Sequence, residues 1–431
     1  MSIPMDFIKQ SGEKKADIPF FACAEHDGKL YFSSWLINGF CSLDLSSGQV
    51  FYYMRFENEC EEQHLHAKAI TYKNEIWFIP CKGKYISIVD IQTKEITSME
   101  LPDADQYQYK FWTAAVVTNR KYLWLIPWKY GELLKINMET KSIDHIQDNP
   151  VNYIHKTEET YFVDAVKVKN DIWLFSQEAK EIYIYDTIEE KTRTIPWGHG
   201  KDRVNKLIYA GEAVWFFPTK LSSSIVKKDI FTGEESCFAL PKENLEKLSE
   251  RCYIAEYLGD WIWMAPFEGR NFIRIHIHSG KIEEIDELHR KACLSQYPYE
   301  RFQTAYKTEE RLFFLSDKEG TAMFCYHKDS GRVTFYELSL SWKEYAKYLV
   351  IKADCPLSEE TVRLPDFMQG MMQRKLIISH SLNRNRINSI GDRIWDALRG
   401  GGLIWIRVFS VRELMDRGIW RYIIDREGCR S

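Results

Sequence analysis

Short apolar bursts, each headed by an aromatic residue and followed by a polar turn, recur along the first three quarters of this chain. They are Leu30-Tyr31-Phe32, Ile76-Trp77-Phe78-Ile79-Pro80, Leu123-Trp124-Leu125-Ile126-Pro127, Ile172-Trp173-Leu174-Phe175-Ser176, Val214-Trp215-Phe216-Phe217-Pro218, Ile262-Trp263-Met264-Ala265-Pro266 and Leu312-Phe313-Phe314-Leu315-Ser316. The seven leading aromatics span positions 31 to 313, which gives a mean period of 47 residues. Such a period marks a repeat architecture. Thirteen or fourteen residues after each leading aromatic comes a turn phrase, opening at Asp44, Asp90, Asn137, Asp186, Asp229, His276 and His327. Four of these phrases continue to Gly48, Gly233, Gly280 or Gly331. A short polar side chain that caps its own backbone, followed by a glycine free to take positive φ, is the chemistry of a hairpin turn.

Between burst and turn the residues alternate, as in Leu134/Ile136, Tyr183/Tyr185, Ile273/Ile275 and Phe324/Tyr326, and a period of two is a strand. A further strand follows the turn, for example Glu95-Ile96-Thr97 or Val333-Thr334-Phe335. Small residues, among them Ala22, Ala69, Ala115, Ala165, Ala255 and Ala305, precede each burst in an innermost strand, as crowding around a central axis requires. Each period thus holds four strands, A to D. The B bursts are apolar throughout because both of their faces are covered, unlike a sheet with one face in water. Four strands in 40 to 50 residues make a propeller blade. Helical solenoid repeats would instead show 3.6-residue periodicity, and parallel β-coils have shorter periods.

The predicted fold class is therefore all-β: a seven-bladed β-propeller with a short, partly helical C-terminal extension. Its boundaries are an N-terminal segment 1–16, a propeller 17–338 and an extension 339–431. The aromatic pair followed by Asp-x-x-(Thr/Ser)-Gly resembles blades of the broad class that includes NHL-like, kelch-like and streptogramin-lyase-like propellers. The resemblance covers residues 17–338 and implies architecture. A kelch Gly-Gly doublet and a recurring Trp-Asp ending are both absent. No His and Glu arrangement maps onto the catalytic positions of streptogramin lyases, so the resemblance does not bring their activity with it.

Composition narrows the function classes. Aromatic residues make up 14%, which favours β-structure, and 28% charged with a net charge of −4 gives no field suited to nucleic acid. No stretch has the ~18 uninterrupted apolar residues of a membrane span, and the N-terminus lacks the basic and apolar regions of a signal peptide, so a cytoplasmic protein is expected. The ten cysteines are scattered without a C-x-x-C pair, which favours free thiols over disulfides or zinc. From Thr361 onward twelve Arg and one Lys stand against seven acidic residues, a basic tail that could engage an acidic partner or lie solvated on the propeller.

Propellers gather ligands at the mouth of the central channel. Three A strands open alike, with Arg203-Val204-Asn205, Arg251-Cys252-Tyr253 and Arg301-Phe302-Gln303. Side-chain alternation sends each Arg and the residue two later to the same side. Planar guanidinium groups of Arg203, Arg251 and Arg301, with Asn205, Tyr253 and Gln303, would suit a carboxylate, phosphate or acidic sugar; the plainer reading is local capping. Equivalent places in other blades carry His64 and His66, Lys110 and Trp112, and Tyr161. Of these, His66, Lys110 and Trp112 complete the candidate ligand-binding set.

The burst tryptophans read as packing between blades, whereas Trp112, Trp128 and Trp197 lie off that position and are candidates for exposure. Lys82, Lys129, Glu178, Lys220, Glu268 and Lys318 recur five residues after the burst aromatic, as a solvated rim. His64-x-His66 and His276-x-His278 each bring two alternating ligands with no third fixed by spacing, so no metal or other cofactor is expected. No G-x-S-x-G, H-E-x-x-H, P-loop or dinucleotide fingerprint occurs. The leading reading is a non-catalytic recognition module that binds a protein or glycan partner through one face. The competing one is a lyase or hydrolase acting on an anionic or carbohydrate substrate, for which no general base can be nominated.

Overall fold

The computed structural model describes residues 16–59, 63–107, 109–112, 115–154, 160–176, 180–199, 204–219, 224–239, 253–266, 272–285, 302–316, 322–341 and 344. The basic tail and almost all of the predicted C-terminal extension lie outside these residues. Asp17–Ser339 is one compact unit, built from seven four-stranded antiparallel sheets in chain order.

After the short β1 (Ala16–Asp17), blade 1 is β2 (Phe20–His26), β3 (Lys29–Ser34), β4 (Phe40–Asp44) and β5 (Val50–Met54). Blade 2 is β6 (His66–Tyr72), β7 (Glu75–Pro80), β8 (Tyr85–Asp90) and β9 (Ile96–Glu100). Blade 3 is β10 (Ala115–Thr118), β11 (Tyr122–Leu125), β12 (Leu134–Asn137) and β13 (Ser142–Asp144). Blade 4 is β14 (Asp164–Val168), β15 (Asp171–Phe175), β16 (Glu181–Asp186) and β17 (Lys191–Pro196). Blade 5 is β18 (Val204–Ala210), β19 (Ala213–Pro218), β20 (Ile225–Asp229) and β21 (Glu235–Phe238). Blade 6 is β22 (Tyr253–Leu258), β23 (Trp261–Pro266), β24 (Ile273–His276) and β25 (Ile282–Glu284). Blade 7 is β26 (Phe302–Lys307), β27 (Arg311–Ser316), β28 (Ala322–His327) and β29 (Val333–Glu337), and β30 (Ser339–Leu340) follows it.

Successive sheets are held face to face by apolar clusters, one for each of the six junctions from blade 1–2 to blade 6–7. The burst tryptophans Trp77, Trp124, Trp173, Trp215 and Trp263 are all buried in these clusters. In the first strand of each blade, the residue one before the partner of the burst aromatic is small in five blades: Ala69, Ala115, Ala165, Ala255 and Ala305. Cys23 holds this place in blade 1 and Leu207 in blade 5. Ala22 stands one residue before that place.

Ring closure does not mix strands from the two ends of the chain within one blade: blade 1 is wholly N-terminal and blade 7 wholly C-terminal. Side-chain hydrogen bonds bridge the junction between them. Tyr306 Oη accepts from the Glu25 N–H at 2.8 Å, Arg311 Nη1 donates to Glu25 Oε1 at 2.8 Å, and Tyr336 Oη donates to Leu45 O at 2.9 Å. Just outside, the Ile18 N–H donates to Leu338 O. Burial pushes the Glu25 carboxyl above its usual range, opposed by the Arg311 charge.

The C–D turns show the capping that the sequence predicts. Asp44 Oδ1 accepts from the N–H groups of Ser46 and Ser47, and Asp90, Asn137, Asp186 and Asp229 do the same in their own blades. In blade 6, Nδ1 of His276 takes the Ser279 N–H instead. The fifth residue of every turn phrase has positive φ: Gly48, Lys94, Lys141, Glu190, Gly233, Gly280 and Gly331.

Where that residue is not glycine, its side chain reaches back to the preceding blade. Lys94 Nζ lies 4.9 Å from the Tyr31 ring centroid, Lys141 Nζ donates to Glu75 at 2.7 Å, and Glu190 pairs with Lys135 at 2.5 Å. These contacts offset the ~1–2 kcal/mol that a Cβ costs in the left-handed region. At Gly280 the preceding blade fills the space itself, since a Cβ there would meet Phe238 Cε1 at 2.1 Å.

Two outcomes follow for stability. Gly280→Ala combines backbone strain with overpacking and should cost about 2–4 kcal/mol, whereas Gly233→Ala, with nothing near its Cβ, should cost about 1 kcal/mol; urea unfolding of the two variants checks the difference. Arg311→Leu strands a largely buried carboxylate and should lower stability by about 2 kcal/mol, and Tyr306→Phe by about 1 kcal/mol, both read as lowered urea midpoints.

Candidate functional site

The residues that start the A strands and those that leave the B strands meet at one end of the ring. A relay of backbone hydrogen bonds stitches them together across four blades. The Trp35 N–H donates to Pro19 O at 2.7 Å, the His64 N–H to Trp35 O at 3.0 Å and the Lys82 N–H to His64 O at 3.0 Å. The Lys110 N–H donates to Cys81 O, the Trp128 N–H to Lys110 O and the Tyr161 N–H to Trp128 O. Loops held this way form a firm platform rather than independent flaps.

On blades 1 to 3 this platform carries a group of rings that stay half-buried: Phe21, Trp35, His64, Tyr109 and Trp112. The His64 imidazole stacks on Trp35 with ring centroids 3.8 Å apart and planes 15° from parallel. Trp112 stands edge-on to Trp35 at 5.4 Å and packs against Tyr109 at 5.5 Å, while Phe21 touches both indoles at 4.3 and 5.4 Å. Lys82 Nζ lies 5.2 Å from the Tyr109 ring centroid.

Backbone strain accompanies this grouping. His64 and Tyr109 both hold positive φ, 59° and 54°, a conformation that bulky residues adopt only when their surroundings impose it. Phe21 is the extra residue of the bulge in β2, which turns its ring out of the regular strand alternation. His64 Nδ1 has no hydrogen-bond partner among the described residues, and burial together with the Lys82 charge lowers the imidazole pKa. The site therefore offers several π-faces and one ammonium, while His64 Nδ1 is itself buried.

Of the residues singled out from sequence, Trp112 is part of this group, and His66 and Lys110 lie beneath it. His66 is 1% exposed, with Nδ1 2.8 Å from Ser33 Oγ and Nε2 3.3 Å from Ser87 Oγ. Lys110 is also buried and donates from Nζ to Lys82 O at 3.2 Å; burial lowers its pKa while Glu59 opposes the shift. The Glu59 carboxylate in turn accepts the N–H groups of Lys84 and Tyr85.

Arg203, Arg251 and Arg301 lie outside the described residues. Tyr253 and Gln303 are placed on β22 and β26 by their backbones alone. Asn205 and Gln303 sit at the register shifts of β18 and β26, where strict side-chain alternation is interrupted. Lys82 and Lys129 of the expected charged rim are half-buried, and the other four rim positions lie outside the described residues. Trp197 is buried rather than exposed, because it follows β17 and inserts between blades 4 and 5 against Phe175 and Phe216. Phe21, Trp35 and Tyr109 escaped the sequence reading. Phe21 is the bulged residue of β2, Trp35 directly follows β3 and Tyr109 lies in the connection before β10, so no common local pattern marks them.

Among the described residues no group of three His, Cys, Asp or Glu is placed to hold a metal, and no helix is long and apolar enough to cross a membrane. Cys23, Cys41, Cys81, Cys237 and Cys325 are free thiols.

No family model matches the chain, and no curated protein matches its sequence. Among solved structures it is similar to a catalytically inactive virginiamycin B lyase from Staphylococcus aureus with quinupristin, at 13% identity and a TM-score of 0.54, covering 70% of this chain and 95% of that one. It is also similar to a streptogramin B lyase, at 16% identity and a TM-score of 0.52, covering 70% of this chain and 93% of that one. A third similar structure is Saccharomyces cerevisiae Sqt1, at 8% identity and a TM-score of 0.52, covering 75% of this chain and 86% of that one. The chain is a seven-bladed β-propeller of this broad class. At these identities the likeness is one of fold, and a propeller hosts many functions.

The His66 environment sets a pH dependence. Burial lowers its pKa from 6.5 to about 3, so between those values the unfolded chain binds a proton that the folded one refuses. Stability is then complete above pH 6.5 and declines as pH falls toward 3, by up to about 1.4 kcal/mol per unit. Urea unfolding of wild type and His66→Gln at about pH 7 and about pH 5.5, both above most carboxylate titration, should show a smaller loss in the variant.

Proposed function

We propose that this propeller is a non-catalytic recognition module that binds a protein or glycan partner through the face carrying Phe21, Trp35, His64, Tyr109 and Trp112. The observation that carries the reading is the half-burial of five neighbouring rings on a hydrogen-bonded platform. The burst tryptophans Trp77, Trp124 and Trp215 are buried between blades, whereas these five neighbouring rings touch one another and keep part of their surface in solvent.

Indole and phenol rings give large, rigid contact area with little conformational entropy to lose, and they dominate recognition surfaces. The apolar face of a pyranose, a proline ring or an aromatic side chain fits against such rings. Lys82 beside Tyr109 adds preference for a ligand that also carries a negative group.

The test is a pair of arrays, one of glycans and one of short peptides rich in proline and aromatic residues, probed with wild type and with Tyr109→Ala/Trp112→Ala. Ligands bound by wild type should lose about 10- to 100-fold in affinity in the variant, measured by titration, while the melting temperature stays within a few degrees. Undiminished affinity for every bound ligand removes this face from recognition.

A further inference from the structure

The inner strands carry charges that the aromatic face does not use. In register terms, Lys68, Asp164 and Lys206 occupy one tier of blades 2, 4 and 5, each two residues before the partner of the burst aromatic. Opposite them in β7, β15 and β19 stand Ile79, Phe175 and Phe217. Glu256 of blade 6 lies at the level of the burst aromatic itself, and Lys307 of blade 7 one residue beyond that level.

The A strands lie against one another around the ring, with β26 returning to β2, so these five side chains belong to a common interior. Asp164 is 1% exposed; Lys206 Nζ approaches its Oδ2 at 3.3 Å, and the Leu207 N–H donates to the same oxygen at 2.8 Å. Lys307 Nζ approaches Glu256 Oε1 at 3.0 Å. Each carboxylate thus has a lysine of its own, and Lys68 is the third ammonium.

No side-chain hydrogen bond or ion pair engages Lys68 among the described residues. Its electrostatic neighbours come from across the ring: Lys206 repels its charge, while Asp164, Glu256 and Cys23 favour it. The residue is half-buried, so its side chain remains reachable by solvent in the interior. Burial lowers the Lys68 pKa and the Lys206 charge lowers it further. For Lys206 the effect of burial is outweighed by Asp164 and Glu256, which keep it charged. Three ammonium groups, those of Lys206 and Lys307 partly exposed, stand against two carboxylates and leave one positive charge without a partner in a partly desolvated setting.

We propose that the interior of the ring is an oxyanion site in which Lys68 and Lys206 hold a small phosphate- or carboxylate-class ion, balancing the lysine excess. A bound oxyanion restores neutrality to the five-residue set and gives Lys68 the counter-charge it lacks. It also draws Lys206 between Asp164 and the ligand. The tier lies just inside the end of the ring where the bulges of β2, β6 and β18 fall, so the site opens toward the aromatic face while using none of its rings.

Thermal unfolding of the full chain in inorganic phosphate, and separately in malonate, at constant ionic strength set with chloride, tests this. Wild type should gain about 2–4 °C in saturating oxyanion, and Lys68→Met should show no gain. In chloride alone Lys68→Met should melt at or above the wild-type temperature, because it removes a partly desolvated ammonium that Lys206 repels. Lys68→Gln serves if the methionine variant does not fold. Broadening of the phosphorus-31 resonance of inorganic phosphate by wild type reports binding without any variant. Absence of both the thermal gain and the broadening in wild type overturns the proposal, as does an equal gain in the Lys68 variants, which would mark adventitious surface binding. A Trp112→Ala variant should keep the full response, which separates this site from the aromatic face.

Discussion

A blade of four short strands has two faces and cannot leave either one in water, and everything else in this molecule answers to that constraint. The solution is a ring in which every sheet is sandwiched between two others, with Trp77, Trp124, Trp215 and their equivalents as wedges. A ring works only if it closes. Here the two ends of the chain are joined by contacts of Glu25, Tyr306, Arg311 and Tyr336 together with the backbone pairing of β1 with β30, rather than by a blade shared between them. Six junctions are established by neighbours in sequence; the seventh joins residues more than 280 positions apart. These polar contacts add directionality at a junction whose two blades also bury Leu30, Phe32 and Leu43 on one side and Phe313, Leu315 and Met323 on the other.

The same need for coverage explains the turns. At the tip of each C–D hairpin the backbone enters the left-handed region, and the side chain there either vanishes to glycine or extends to the preceding blade, as Lys94, Lys141 and Glu190 do. A backbone cost is thereby exchanged for a contact between blades. Gly280 is the inverse case, where Phe238 of the preceding blade occupies the space that a side chain would need.

Both proposed sites lie where the rule of burial is relaxed. At one end of the ring, five rings remain half in solvent on loops tied together by a backbone relay. In the interior, a lysine lacks the carboxylate that each of the other two lysines has. Neither departure contributes to closing the ring, and both lie near the bulged starts of the inner strands. The bulges interrupt alternation where ligands would be met, and they take the place of loop insertions as the means of re-aiming side chains.

The blades were legible in the sequence because their determinants are local: aromatic bursts at a steady period, alternation between burst and turn, and Asp or Asn capping its own hairpin two and three residues on. Trp112 could be named for the same reason, standing off the burst position beside a strand start. Whether a residue near a strand end faces water or packs inward is decided by the blade next to it. His66 and Lys110 therefore lie beneath the surface that Trp112 shares, and Trp197 is enclosed by blades 4 and 5. Phe21, Trp35, His64 and Tyr109 become a group only when three blades bring them together, and Lys68 meets Asp164 and Lys206 only across the ring. Local patterning set the strands and their number; the closed ring, which fixes distances between residues far apart in the chain, decided which side chains share a site.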